Sequence, residues 1–321
     1  MNILLLSSGS RVKLVEYFVK EFNSYGYKVY TADCSELAPT LYVSNGYFIV
    51  PRITEENYLE SIIEICKENN IGAVLSLIDP ELSLLAENIE LFKSNGIIPI
   101  ISGSEEVELC FDKHRMYQFL KDNSIDTPKT FNNLATLKEE LRKNQIEFPL
   151  FAKPKNGSAS LNMQKINNLK DLKSFNFDKD YIVQEFIDGK EYGVDVYVDL
   201  YSGEVVDMFI KEKIVMRAGE TDKSVSIDSE EIREFINDLL SKIKLKGPID
   251  IDLFEKSGKL MLSEVNPRFG GGYLHAHESK RNFPKMILNN LKREVNDTQK
   301  FEFVETFAMK FSDLLVIKSE G

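Results

Sequence analysis

Basic charge is scarce in this chain: 40 lysines and arginines face 51 aspartates and glutamates, giving a net charge of -11 and a pI near 5.0. With no long basic run, such a balance argues against a general nucleic-acid or anionic-membrane surface, while a local basic pocket for a phosphate remains compatible with it. Cysteine is scarce too. Cys34, Cys66 and Cys110 are odd in number and widely spaced, which excludes a disulfide framework and a paired metal motif and points to a reducing, cytoplasmic setting. Long hydrophobic runs are missing. The opening "MNILLLSSGSR" is too short for a membrane helix or a signal core and reads as a buried first strand, so no membrane partner is expected. The turn that follows, "SSGSR", lacks the G-x-G-x-x-G spacing, which leaves a dinucleotide site, and with it a dehydrogenase, poorly supported. Internal repeats, low-complexity stretches and disordered linkers are also absent.

At 321 residues and 43% hydrophobic, the chain has length for two or three domains and apolar content for a proper core. Up to about residue 105, apolar segments alternate with helical ones: "NILLL", a helix from about Arg11, "YKVYTAD", "YFIV", a helix near 55 to 69, "AVLSLI", a helix after Pro80, and "IIPII". This alternation predicts a parallel sheet covered by helices, a Rossmann-like wrap. A helix with Asp112 as its N-cap follows, and Thr127-Pro128 leads into an extended segment. Short strands around one helix (about 136 to 144) are expected over 125 to 187, and a β-rich region over 190 to 275.

The most informative stretch is "SEVNPRFGGG", residues 263 to 272. Side chains alternate along a strand, so Glu264, Asn266 and Arg268 share one face while Val265 and Pro267 occupy the other. An acid and an amide supply oxygens to a hard cation such as Mg²⁺, and an arginine beside them suits phosphate. "IDIDLFEKSGKLMLSEVN" reads as a hairpin with Ser257-Gly258 at its tip. A connection with an odd number of residues brings Asp252 onto the face of Glu264 and Asn266; a two-residue loop puts it on the other face. In "FAKPKNGSAS", Lys153 leaves an apolar strand and Gly157-Ser158 opens a small loop whose N–H groups can wrap phosphate oxygens. "YIVQEFIDGKEYGVDVYV" reads as two strands joined by a connector that can offer backbone groups to an adenine, with Glu191 placed for ribose hydroxyls.

In order and spacing, Lys113 in "FDKHRM", Lys153 in "FAKP", "VQEFIDGKEYGVDV", "IDIDLF" and "SEVNPRFGGG" resemble the ATP-grasp enzymes over about residues 1 to 290. The likeness is strongest to one half of the carbamoyl phosphate synthase large chain and its single-module relatives. It implies an α/β fold: a Rossmann-like domain over 1–110, then an ATP-grasp domain of two α+β subdomains over 111–321, with a lid at about 125–187 and a metal and substrate subdomain at about 188–321. It also implies ATP and Mg²⁺, with Mn²⁺ as an alternative ion. Lys113, Lys153 and Ser158 then contact nucleotide phosphates. Gln184 and the backbone of Glu185, Phe186 and Ile187 meet the adenine, and Glu191 the ribose. Asp252, Glu264 and Asn266 hold metal; many relatives have Gln at the Asp252 position. Arg268 meets the transferred phosphate, Arg217 faces substrate, and Lys211 is a weaker candidate.

The activity implied is ATP-dependent joining of a small carboxylate, an amino acid or a related acid, to an amine through an acyl phosphate. The partners are those two small molecules, and the resemblance alone suggests a homodimer. A nucleotide-binding protein without catalysis and a carbamoyl-phosphate-type activation are the alternatives. His275 and His277, two of only three histidines, read first as structural. Asp79 and Glu81 lie where α/β sheets bind ligands, but helix capping by Asp79 ahead of Pro80 is the simpler account.

Overall fold

The computed structural model describes residues 1–157, 163–175, 180–298 and 302–317, which are organised around three sheets. The first comprises β1 (Asn2–Leu6), β2 (Val29–Asp33), β3 (Gly46–Ile49), β4 (Ile71–Ser76) and β5 (Ile98–Pro99), all parallel in the order β3-β2-β1-β4-β5. "NILLL" has no polar alternation because both of its faces are buried. Ile3 and Leu5 pack under α1 (Val12–Asn23), while Leu4 and Leu6 pack under α2 (Tyr58–Glu68) and α3 (Asp79–Glu87). Helices α4 (Ile89–Ser94), α5 (Ser104–Phe111) and α6 (Lys113–Asp122) lead out of this unit. Asp112 caps α6 as expected, accepting from the backbone N–H groups of His114 and Arg115.

A small antiparallel sheet follows, with β6 (Thr130–Phe131), β7 (Leu150–Pro154), β8 (Gln164–Ile166) and β9 (Tyr181–Glu185) in the order β6-β9-β7-β8. Helices α7 (Leu134–Arg142) and α8 (Leu169–Ser174) cover it through Leu137 and Leu172. The third sheet holds β10 (Lys190–Val198), β11 (Val205–Arg217), β12 (Glu220–Ser226), β13 (Gly247–Lys256), β14 (Lys259–Asn266) and β15 (Phe307–Met309), antiparallel in the order β14-β13-β10-β11-β12-β15. Its period-two pattern divides the faces. Val194, Val196, Ile249, Ile251 and Leu253 pack with α6 and α9 (Glu230–Lys242). On the other face Tyr197 and Phe209 join α10 (Tyr273–Glu278) and α11 (Phe283–Leu291) in the same core that holds α1. Phe18 meets Phe269 edge-on at 5.7 Å, so the first and third sheets share one hydrophobic core.

The β13–β14 hairpin corrects the odd-loop expectation. Lys256 pairs with Lys259, so the loop has two residues, Ser257 and Gly258, both at positive φ (54° and 75°) as a tight hairpin turn of this hand requires. That loop alone would send Asp252 to the wrong face. The pairing then jumps, with Leu253 opposite Leu262 but Asp252 opposite Glu264. Ser263 is therefore an extra residue, a β-bulge that restores the register and sets Asp250 opposite Asn266.

Deleting Ser263 removes only the extra residue: Leu253 stays opposite Leu262 and Asp252 opposite Glu264, so both faces are kept. The bulged residue has no ladder partner of its own, and the expected change in stability is within about 1 kcal/mol, read by the urea midpoint. A loss of about 3 kcal/mol or more, the scale of leaving a charge buried without a partner, would show that Glu264 and Asn266 had changed face and that this account of the register is wrong.

Candidate active site

The charged face of the large sheet carries acids and lysines in facing rows. Gly193 lies between Asp252 and Lys211, and Asp195 between Asp250 and Phe209. Lys213 is buried and reaches Asp252 at 2.6 Å and Glu191 at 2.8 Å. Burial works against its charge, but those two carboxylates outweigh it and raise the ammonium pKa. Lys211 is fully buried in contact with Asp195. Asp250 is pushed up to about 7 by burial and by the nearby Asp252 and Asp195.

The small sheet contributes from the other side. Lys153, near the end of β7, is buried with a lowered pKa; desolvation is the main cause, countered by the nearby Glu264. Lys113 opens α6, donates to the Gly157 carbonyl and lies 3.5 Å from Glu264. A cleft between α6, β9 and β14 is lined by Lys113, Gln184 and Glu264, among others. Gln184 is buried and donates through Nε2 to Thr130 Oγ1 at 2.9 Å. The Glu185 N–H donates to the Lys129 carbonyl at 2.8 Å, so of the connector's backbone groups that N–H is already used. Phe186 carries Lys165 over its ring at 4.0 Å, and Ile187 is buried. The connector runs so close to β13 that a Cβ on Gly189 would sit 2.1 Å from the Glu255 carbonyl oxygen. Ser158 lies outside the described residues.

Arg268, with 9% of its side chain exposed, donates to Asp79 at 2.7 Å and lies 3.9 Å from Asp250. Burial opposes its charge, but Asp79 raises its pKa overall. Asp79 is the first residue of α3 and makes no side-chain cap. The capping account is therefore replaced by a buried ion pair. Glu81 is fully buried, accepts from Tyr58 and Ser76, and has its pKa raised by desolvation, so it braces α3 and does not face an amino group. Arg217 is set apart from these residues. With 74% of its side chain exposed, it ends β11 and lies 3.5 Å from Asp222. The glycines at 270 to 272 are approached closely by side chains: a Cβ there would meet Asp250, Glu220 and Lys211 at 2.3, 2.7 and 2.7 Å. His275 is held by Ser224 at 2.8 Å and Thr306 at 2.9 Å, and His277 stacks on Tyr17 at 3.6 Å. Both are structural.

Asp252, Glu264 and Asn266 form an all-oxygen set at neighbouring positions of two paired strands, suited to a hard divalent cation. Asp252 Oδ1 is buried, and the Lys213 ammonium lies 2.6 Å from it. The donors thus fit such an ion. Among the described residues, however, no three His, Cys, Asp or Glu side chains already converge as metal ligands; lysines lie on the carboxylates. Asp250 and Lys213 were missed in the sequence, although each is two residues from a named candidate and the strand period alone puts it on the same face.

Residues 110–272, just over half of the chain, match the ATP-grasp domain family, and residues 3–101 match the PylC-like N-terminal domain. The chain belongs to the ATP-grasp family. It is 27% identical over 266 residues to a carbamoyl phosphate synthase large chain from Pseudothermotoga lettingae, covering 77% of this chain and 23% of that one. It is 22% identical to the tyramine–L-glutamate ligase of Methanocaldococcus jannaschii, over 68% of this chain and 63% of that one. The chain thus spans less than a quarter of the synthase and under two thirds of the ligase. N5-carboxyaminoimidazole synthetase from Staphylococcus aureus complexed with ADP shares the fold, with a TM-score of 0.71 at 18% identity over 89% of this chain and 76% of that one. The cysteines are free thiols, Cys34 exposed and the other two buried. No helix among the described residues is long and apolar enough to cross a membrane.

Two outcomes follow from these environments. Asp79→Ala strands the buried Arg268 charge and should lower stability by about 3–5 kcal/mol, read by urea denaturation; a loss under 1 kcal/mol would show that solvent already reaches that guanidinium. His275 is pushed down to about 4 by burial and by Lys211. The unfolded imidazole titrates near about 6.5, so the folded chain favours the neutral ring. Its contribution to stability is complete above that value and is lost as pH falls toward 4. His275→Gln should flatten the decline in melting temperature across that window, and parallel curves for the two proteins would refute the assignment.

Proposed function

We propose that this protein is an ATP-dependent ligase that joins a small carboxylate to an amine through an acyl phosphate, with release of ADP and phosphate. The observation that carries the proposal is the gathering of Lys113 from α6 and Lys153, Glu191, Asp252 and Glu264 from two sheets into one electrostatic neighbourhood. The ligase named among its relatives, and the ADP held by a structure of the same fold, support the reading. In this proposal residues 1–110 are the Rossmann-like domain, 111–321 the ATP-grasp domain, and about 125–187 its lid.

A carboxylate resists amines until one of its oxygens becomes a leaving group. In the proposed reaction a carboxylate oxygen bonds to the γ-phosphorus of ATP while the β–γ bridging bond breaks toward ADP. The amine then attacks the acyl carbon, the C–N bond forms as the nitrogen gives up a proton to solvent, and phosphate departs with the C–O bonding pair. Such a transfer depends on charge neutralisation and alignment more than on a protein nucleophile. Lys113 and Lys153 supply cations to the phosphates, Gln184 and the 185–187 connector border the base, and Glu191 meets the ribose. Mg²⁺, held by Asp252, Glu264 and Asn266, supplies further charge neutralisation at phosphate oxygens when bound. Lys213 must then release one of the two carboxylates it now holds. Arg268 lies where negative charge collects on the transferred group. Arg217, exposed on the β11–β12 hairpin, contributes at most as a mobile contact to substrate.

Mixing the protein with ATP, Mg²⁺, hydroxylamine and a panel of amino acids and small carboxylic acids should yield ADP and, with at least one acid, a hydroxamate. Glu264→Gln should cut that turnover by at least about 100-fold, the scale of removing one preorganised transition-state contact. ADP release at the wild-type rate in this variant would sink the metal assignment.

A further inference from the structure

The first sheet reaches this site through a residue with no role so far. Arg11 follows β1, and Asp79 follows β4, the two strands that flank the switch point of the parallel order. In open α/β sheets the crevice at the carboxyl ends of such strands is where ligands bind. Here Arg268 from the end of β14 enters that crevice. Arg11 Nη1 donates to the Phe269 carbonyl at 2.7 Å, and Arg268 Nη1 donates to the same oxygen at 3.0 Å. Two guanidinium groups therefore converge on one neutral acceptor.

Their surroundings do not balance them equally. Arg268 has Asp79, but its Nε is buried and has no hydrogen-bond partner. Among the described residues the Arg11 guanidinium has no carboxylate within 4 Å, and the Phe269 carbonyl is its one hydrogen-bond partner. Glu220, the nearest acid in electrostatic terms, is engaged by Lys310 at 2.6 Å. Like charges held together at a partly buried position work against folding. Phe269 cannot move away to relieve them, because its ring is locked in the shared core against Phe18 and Tyr273. Such an arrangement is electrostatically complementary to an anion with two oxygens, which guanidinium forks bind in bidentate fashion.

We propose that Arg11 is a substrate-positioning residue: with Arg268 it holds the carboxylate of the acid substrate in the crevice between β1 and β4. The inference rests on the ligase reading and specifies which residue of the first sheet recognises the acid. It explains why that sheet shares a core with the ATP-grasp sheet: a two-arginine clamp works only if its halves keep a fixed separation.

The test uses the full chain with ATP, Mg²⁺, hydroxylamine and the same acid panel, comparing wild type, Arg11→Gln and Arg11→Lys, with MgADP affinity measured by calorimetry on each. The expected result is a KM for the productive acid raised at least tenfold in Arg11→Gln, partly restored in Arg11→Lys, with MgADP affinity within twofold of wild type throughout. An acid KM within twofold of wild type in Arg11→Gln overturns the proposal. A parallel loss of MgADP affinity also overturns it, because Arg11 would then serve only to hold the fold. A wild-type protein that binds MgADP but yields neither ADP nor hydroxamate with any acid removes the ligase reading itself, and the positioning role with it.

Discussion

The large sheet keeps charge on one face and hydrocarbon on the other. Across its β13–β14 edge, that separation holds because one residue, Ser263, takes no partner in the ladder between Leu262 and Glu264. Before the bulge, Leu260 and Leu262 face the helices; after it, Val265 does. A bulge re-aims side chains without breaking the hairpin. Here it turns a two-residue loop, which favours tight pairing, into a register that brings Glu264 and Asn266 across from Asp252 and Asp250. Every other feature of the site presumes this placement. Lys113 meets Glu264 from α6, Lys213 spans to Asp252 from β11, and Arg268 continues the row into the crevice of the first sheet.

That face is nearly self-neutralising. Lys211 lies on Asp195, Lys213 on Asp252 and Glu191, and Lys113 near Glu264. Burying so many charges is tolerable only when each has an opposite partner at short range. A pocket built this way is poised for exchange. In the proposed reaction a nucleotide would bring negative phosphates that compete for the lysines, and a divalent cation would compete for the carboxylates. The two exchanges favour one another, since each frees the partner that the other needs. This is a physical reason for lysines and acids to be interleaved in place of a preformed metal cage.

Much of this was legible in the chain. The parallel first sheet follows from alternating apolar and helical segments. The charged face follows from period two in "IDIDL" and "SEVN". The bulge leaves a trace as well: apolar residues run on even numbers at 260 and 262 and on an odd number at 265, a change of phase that only an inserted residue reconciles. What stayed hidden is tertiary. Asp79 ahead of Pro80 has the local chemistry of a helix start, and only the approach of Arg268, 189 residues away in sequence, makes it an ion-pair partner. Arg217 and Lys211 look alike in the chain, yet one is exposed on a hairpin and the other is sealed against Asp195. Strand position decides this, not residue type.

The Asp79–Arg268 pair argues that the first sheet belongs to the site and is more than an appended domain. A buried ion pair is weak evidence for stability, because well-packed apolar residues at the same positions often stabilise as much or more. The surrounding core supplies such residues in abundance, from Leu77 and Phe18 to Phe269. Hydrophobic packing alone would join the two units. A charged bridge at their junction, beside a second arginine without an acid of its own, spends part of that stability on an electrostatic field at the carboxyl ends of β1 and β4. A field of this kind in a cleft draws in a ligand of opposite charge. The shared core fixes the separation of the two sheets, and the charges set what can bind between them.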